Sequence, residues 1–351
     1  WCERRLLARI HRYSRERRRR ASRPVPPAVF MRFLLDWHGF DESEGELEQA
    51  LGQLEGWAAP VSAWEPGLLA HRCADYSPRR LDEQFLSGYL TWFRPEAAGQ
   101  GGQGLVAATP LAFVPRASLL AWRAETRPGA ETLGGHAARA LAVLEQRGAM
   151  FTADLATESG LMPQYLEQAI AELIARGLVT ADAFSPLRWL IRPEAEKRRQ
   201  QKRLSRARRG HGPALLGRWS IPSYPPDTDE EVLFQDQARL ATICEALLRR
   251  YGVVFRAVLE RETLAPPWRF LLRYFRRMED RGEVLGGRFV DGFSGEQFAL
   301  PEAVGLLRNT KKQGLQRAVN VISAVDPLNL GGIITPGAKT AARAANRILL
   351  V

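Results

Sequence analysis

A chain of 351 residues has room for roughly two to four modest domains. Hydrophobic residues make up 45%, enough to fill real cores, while 50 Lys and Arg against 39 Asp and Glu leave a net charge of +11. That balance points to a polyanionic partner and away from a small-metabolite enzyme, and no apolar run approaches the ~18–20 residues of a membrane span. Cys2, Cys73 and Cys244 are scattered without a CxxC pair, so neither a zinc site nor a disulfide framework is expected. His71 and Cys73 are neighbours, but two ligands do not make a metal site.

Residues 1–29 read as a basic helical linker. Ten arginines between Arg4 and Arg23 interleave with Leu6, Leu7, Ile10 and Tyr13 at helical spacing, and a solvated basic arm is the alternative. Residues 30–130 read as a winged-helix-like unit: FMRFLLDW and LEQALGQL as helices, a helix turning into a strand at Gly88, a loop or wing tip over 96–104, and a returning strand in PLAFVPRASLLAW. Residues 131–195 read as a winged helix. Helices are expected at His136–Arg147, Thr152–Ser159 and Pro163–Arg176, the last with Leu166, Ile170, Leu173 and Ile174 on its core face. Gly177 ends it, and Leu178–Thr180 and Leu187–Ile191 are expected as wing strands. Residues 196–227 form a basic linker, in which Arg203 and Arg206 are candidate phosphate ligands.

Residues 228–310 read as a third winged helix. A capping box of Thr228 and Glu231 precedes a helix whose core stripe is Leu240, Ile243, Cys244, Leu247 and Leu248. Val254–Arg261 is the expected second helix. The third runs through PPWRFLLRYFRRMEDR, with Trp268, Leu271, Leu272, Phe275 and Met278 facing a core and Arg269, Arg273, Arg276 and Arg277 on the other side. Gly282 stops it, and Gly286-Gly287 reads as a two-residue turn that places Arg288 on the wing. After a short helix at Pro301–Arg308, residues 311–351 read as the start of a truncated β-barrel-like domain. The expected fold is therefore mainly α with α+β units, a tandem winged-helix array leading into that domain. Neither end, Trp1 or Val351, looks natural, so a segment of a longer polypeptide is expected.

Three strings, LLARIHRYSRERRRR with FMRFLLDW, RGEVLGGRFVDGFSGEQFALPEAVGLLR, and VISAVDPLNLGGIITPG, resemble in order the C-terminal region of the large helicase-related (Lhr) superfamily-2 DNA helicases of bacteria. The resemblance implies a cytoplasmic, ATP-dependent DNA-translocating protein in DNA repair, with ATP and magnesium bound by two upstream RecA-like domains. This sequence has no GxxxxGK[ST] loop and no Walker B-like box, so no cofactor is expected within it. The family's tail resembles the AlkZ-type DNA glycosylases, and the resemblance implies uracil-DNA glycosylase activity for that tail. The arginine block Arg17–Arg20 is denser than the family pattern, and the β-domain stops at Val351 where that pattern continues.

Three functions compete. The first is a DNA-binding module using Arg269, Arg273, Arg276, Arg277 and Arg288, with single-stranded or duplex DNA or an RNA–DNA hybrid as partner. Arginine grips phosphate, and no Asn or Gln projects from that face to read adenine, so sequence-independent contacts are expected. A surface arginine face on a packing helix is the bland alternative. The second is a glycosylase, with Asp326 as candidate catalytic carboxylate; its place before Pro327 fits turn chemistry equally well. Asp291 and Glu296 are lesser candidates, and Gln235-Asp236-Gln237 matches the AlkZ Gln-x-Gln signature only superficially. The third is a homo-oligomerisation scaffold, suggested by Gln164, Glu167, Gln168 and Glu172 projecting from the third helix of residues 131–195, where carboxylates would repel phosphate.

Overall fold

The structure, a computed structural model, describes residues 3–6, 9–10, 13, 19, 23–40, 45–95, 104–123, 127, 133–199, 217–225, 229–314 and 319–350. They fall into two compact units: unit one is Trp1–Leu54, His71–Ala74 and Glu231–Val351, and unit two is Glu55–Ala70 and Asp75–Glu230. Unit one opens with helices α1 (Pro27–Trp37) and α2 (Leu47–Gln53). The chain then enters unit two with β1 (Ala58–Pro60) and α3 (Val61–Ala63), which runs on as a wider-turned helix through Leu69. There follow α4 (Pro78–Leu86), β2 (Leu90–Phe93), β3 (Pro110–Pro115), α5 (Leu119–Trp122), α6 (Gly135–Arg147), β4 (Met150–Phe151), α7 (Thr152–Ser159), α8 (Pro163–Ala175), β5 (Thr180–Ala181), α9 (Ser185–Leu190) and β6 (Arg218–Ser220). Unit one resumes around α10 (Glu230–Leu233) with α11 (Gln237–Tyr251), β7 (Val253–Val254), a 3₁₀ helix Arg256–Arg261, α12 (Trp268–Arg281), β8 (Leu285–Gly287), β9 (Gln297–Ala299), α13 (Pro301–Gln313), β10 (Asn320–Ser323) and β11 (Arg347–Leu350).

Three of the sheets repeat one plan. Their strand orders are β1-β3-β2, β4-β6-β5 and β7-β9-β8, always first–third–second and always antiparallel. A short strand before the last helices pairs with the return arm of the wing, and the wing hairpin flanks it; this is winged-helix topology in tandem. In unit two, Trp64 stacks on Phe113 at 3.8 Å, and the indole N–H groups of Trp92, Trp122 and Trp219 donate to Ala183 O, Glu55 Oε1 and Thr152 Oγ1. These bulky rings are thus buried without orphaned donors. In unit one, α1 lies on α13, and α11 packs against both α2 and α12.

Several expectations are corrected. Residues 187–191 are not a wing strand: Ser185–Leu190 is helical, and the third strand of that sheet is β6, where Trp219 pairs with Met150 and Ala181. The winged helix therefore does not end at 195, and the arginine-rich stretch after it lies between two strands of one sheet. Residues 96–103 and 200–216, with Arg203 and Arg206, lie outside the described residues, as does Thr228 of the expected capping box. The cap of α11 is instead Asp236, whose Oδ1 accepts from the N–H groups of Ala238 and Arg239, so Gln235-Asp236-Gln237 is a helix start. The tail is a two-stranded sheet of β10 and β11; among the described residues no closed barrel forms.

Candidate nucleic-acid interface

Helix α12 is specified by its own sequence. Pro267 fixes the backbone before the first turn, and Gly282 closes the last with φ 81, a left-handed conformation that costs glycine little. The buried stripe is Phe270, Leu271, Tyr274, Phe275 and Met278, at about 1.5–3 kcal/mol for each large apolar side chain. Trp268 and Leu272, expected in the core, are half-exposed instead, because the stripe is phased through Phe270 and Tyr274. The opposite face carries exposed Arg269, Arg273, Arg276 and Arg277. Arg269 and Arg273 lie 4.5 and 5.5 Å from the Phe270 ring centre and have no carboxylate partner among the described residues. Arg277 donates to Gln237 Oε1.

The wing is longer than the sequence suggests. Gly286-Gly287 is not a turn: both residues lie in β8, paired with Phe298 and Gln297 of β9, and the wing spans residues 288–296. A methyl at Gly286 would meet the Glu279 carboxylate and the Arg19 guanidinium, so the ion pair packs directly over this glycine. Buried Gln297 pins the wing base, accepting from the N–H of Phe289 (2.7 Å) and Val290 (2.8 Å) and donating to Val290 O (2.8 Å). Val25 runs alongside, its N–H donating to Phe289 O and its carbonyl accepting from Asp291 N–H. Arg288 is exposed on this wing.

Two carboxylates beside this face, Glu279 and Glu296, are neutralised by arginine, while Asp280 and Asp291 stay exposed. Buried Glu279 accepts from Arg19 Nε (2.9 Å), and Arg19 also reaches Glu296 Oε1 (2.7 Å). Arg276 holds the other Glu296 oxygen at 2.6 Å. Burial pushes the Glu296 carboxyl up, but the guanidiniums of Arg276 and Arg19 outweigh it and hold it below the ordinary glutamate value. Arg276 is therefore partly committed to the wing, which leaves Arg269 and Arg273 as the least encumbered arginines of the face. The pairing of Arg19 with Glu279 is not foreseen from the sequence. The available signal was a glutamate one turn after Phe275, on the buried side of an amphipathic helix, where a charge demands a partner.

Asp326 lies elsewhere in unit one and is 0% exposed. Its oxygens take Arg72 Nη1 (2.7 Å) and Nη2 (2.9 Å), and Oδ1 also accepts from Leu328 N–H (2.9 Å). Arg72 Nε donates to His38 Nδ1 (3.0 Å), so the ring carries its proton on Nε2 and gives it to Arg250 O (2.7 Å). Arg250 in turn binds Glu262, which also accepts from Tyr251 Oη (2.7 Å). Burial first, then the Arg72 guanidinium, push the His38 pKa well below its ordinary value. In this arrangement both oxygens of the Asp326 carboxylate are engaged by Arg72, and Oδ1 closes the turn to Leu328 as well. Asp291 is exposed and accepts from Gly292 N–H, and no group of three His, Cys, Asp or Glu among the described residues could hold a metal ion.

Helix α8 of unit two differs from expectation. Gln164 and Gln168 are exposed, but Glu167 accepts from Trp189 Nε1 (3.0 Å) and lies 3.8 Å from Lys197 Nζ. Glu172 accepts from Gly134 N–H (2.9 Å), and the Leu105 N–H donates to Ala171 O (3.1 Å). The two carboxylates of this face are engaged within their own unit, while Gln164 and Gln168 stay exposed.

Comparison with known proteins agrees with the winged-helix fold. Residues 25–115 and 234–319 each match a winged-helix domain of the large helicase-related protein, together half of the chain. The Lhr helicase/uracil glycosylase of Escherichia coli K12 is 28% identical over 96% of this chain. The Lhr helicase/probable uracil glycosylase of Mycolicibacterium smegmatis is 31% identical over 94%. The chain spans 24% and 22% of those two proteins, about a quarter of their length.

Proposed function

We propose that this chain, which belongs to the large helicase-related family as part of its C-terminal region, is a nucleic-acid-binding module of an ATP-dependent DNA helicase acting in DNA repair. It grips the backbone largely irrespective of sequence. The observation that carries this reading is the exposed arginine face of α12 beside a wing whose Glu296 is already paired with Arg19 and Arg276. Arginine binds phosphate bidentately, and phosphate contacts position without reading bases. Single-stranded or duplex DNA, or an RNA–DNA hybrid, is the partner in a bacterial cytoplasm. ATP and magnesium belong to the motor of the longer protein. The engaged carboxylates of α8 support a spacing or self-association role for that winged unit rather than a DNA-binding one.

The test is affinity for single-stranded and duplex DNA against salt, by fluorescence anisotropy. Log affinity falls linearly with log salt, and Arg269→Ala with Arg273→Ala makes that slope shallower by about 0.7–0.9 for each phosphate the variant no longer neutralises. Affinity that is flat with salt, or indifferent to both substitutions, overturns the reading.

A second reading follows from the relatives' names, both of which include uracil glycosylase. Incubation with uracil-containing single-stranded DNA, followed by alkali, tests it. Breaks that persist in Asp326→Asn exclude that carboxylate as essential.

A further inference from the structure

The first turn of α12 borders a cleft of about 550 Å³ in unit one. One wall is Pro266, Pro267 and Trp268 at the head of the helix, another is Phe293 and Ser294 of the wing, and Phe255 with the 3₁₀ helix after it, including Arg256 and Glu260, lines most of the rest. Phe255 is buried and packs against Phe293 with ring centres 5.0 Å apart, so the wing aromatic stands on a fixed support. Trp268 and Phe293 are each half-exposed. Both described indoles of unit one, Trp37 and Trp268, are half-exposed, but Trp37 is tied by its N–H to Arg249 O, whereas Trp268 stands on the wall of the cleft.

We infer that this cleft receives one unstacked nucleobase of single-stranded DNA, stacked on Trp268 and flanked by Phe293. The inference rests on the DNA-binding reading of α12 and adds a strand preference to it. The size suits a nucleotide-scale ligand. Two aromatic side chains from separate elements offer π-faces, which every base matches and which duplex bases, already stacked, cannot use. Arg269 and Arg273 follow Trp268 within one and a half turns of the same helix, and exposed Arg256 stands at the rim, so the phosphates next to an inserted base meet cationic groups. Both carboxylates that line the cleft are engaged: Glu262 by Arg250 and Tyr251, Glu260 by Lys339. The occupant is therefore an anionic strand bearing a flat aromatic ring.

The test uses the full chain with an oligothymidylate of about 15 nucleotides carrying one 2-aminopurine, and a duplex of the same length. Trp268→Ala weakens single-strand binding by about 5- to 150-fold, the range of one base–aromatic stack, and abolishes 2-aminopurine quenching while duplex affinity stays unchanged. Trp268→Phe restores most of the quenching, which shows that the effect belongs to the ring and not to misfolding. Phe293→Ala acts in the same direction and less strongly. Equal losses for single strand and duplex in Trp268→Ala, or none for either, overturn the cleft proposal even if Arg269→Ala and Arg273→Ala weaken both ligands. If the arginine variants change neither, or the unsubstituted chain binds no DNA, the DNA-binding reading falls and the cleft proposal with it.

Discussion

Helices α8 and α12 hold the same position in their winged units. Each follows a short strand and a shorter helix, each is closed by a left-handed glycine (Gly177 at φ 72, Gly282 at φ 81), and each feeds the second strand of a first–third–second sheet. Even the closing hydrogen bonds agree: Gly177 N–H to Ile174 O and Leu178 N–H to Leu173 O in one, Gly282 N–H to Glu279 O and Glu283 N–H to Met278 O in the other. They differ in what lies over the outward face. On α8, Glu167, Ala171 and Glu172 are taken up by Trp189, Lys197, Leu105 and Gly134 of the same unit. On α12, Arg269 and Arg273 stay exposed, and the carboxylates near them are consumed by Arg19 and Arg276. Topology decides where a third helix stands; local chemistry decides whether it is left open to a ligand.

That contrast can be broken most severely through the buried network of unit one. Asp326→Ala leaves the Arg72 guanidinium buried without its carboxylate, which costs about 3–5 kcal/mol. Urea unfolding followed by tryptophan fluorescence, alongside DNA anisotropy, should show binding lost together with the unit that holds α12. Binding that outlasts the unfolding of unit one would place the DNA contact elsewhere and undo the comparison.

Acidification weakens the same unit by degrees. The native state keeps His38 neutral, whereas the unfolded chain takes up its proton below about pH 6.5. The folded pKa is depressed, so this contribution is fully present above the ordinary histidine value and is lost as pH falls below it, by up to about 1.4 kcal/mol per pH unit. His38→Gln keeps a donor for Arg250 O and an acceptor for Arg72, and should flatten that part of the stability–pH curve. An unchanged slope in His38→Gln would assign the acid sensitivity to another group.

On α8 the decisive variant neutralises without adding charge. Glu167→Gln with Glu172→Gln should cost about 1–2 kcal/mol through weakened contacts to Trp189 and Gly134, and should leave DNA affinity unchanged. A gain in affinity would mean that repulsion alone had kept DNA from this helix. The smallest effect is expected at the wing. Glu296→Gln should lower stability at neutral pH by no more than about 1 kcal/mol, since exposed pairs are screened. The Glu296 carboxyl is held low when folded, so the difference from the unsubstituted protein is present above the ordinary glutamate value and disappears as pH falls through the lowered one.

Much of α12 was legible in the sequence because periodicity and end signals are local. Leu271, Phe275 and Met278 at helical spacing, the arginines opposite them and Gly282 at the end all sit within one short window. The phase error at Trp268 and Leu272 arose because Phe270 and Tyr274 continue the apolar band around the helix, and only the packing partners choose its centre. Gly286-Gly287 has turn chemistry in the sequence, yet both residues pair within β8, where the Glu279 carboxylate packs against Gly286. The third strand β6 was missed because β5 and β6 are separated by the arginine-rich stretch, and no local pattern tells a three-residue strand which partner it will find.

By itself, the sequence determined the repeated helical units, their glycine stops and the concentration of positive charge on one helix, since these depend on the spacing of residues along a few turns. Only the tertiary structure decided which strands close each sheet, that Asp326 is enclosed by Arg72, that Glu279 is answered by Arg19, and that the charged groups of α8 are engaged within their unit while Arg269 and Arg273 of α12 stay exposed. Those outcomes depend on hydrogen bonds and ion pairs between residues as far apart as Arg19 and Glu279 or Arg72 and Asp326. The cost of burying an unpaired charge makes such partners obligatory, but it does not say in advance where along the chain they will come from.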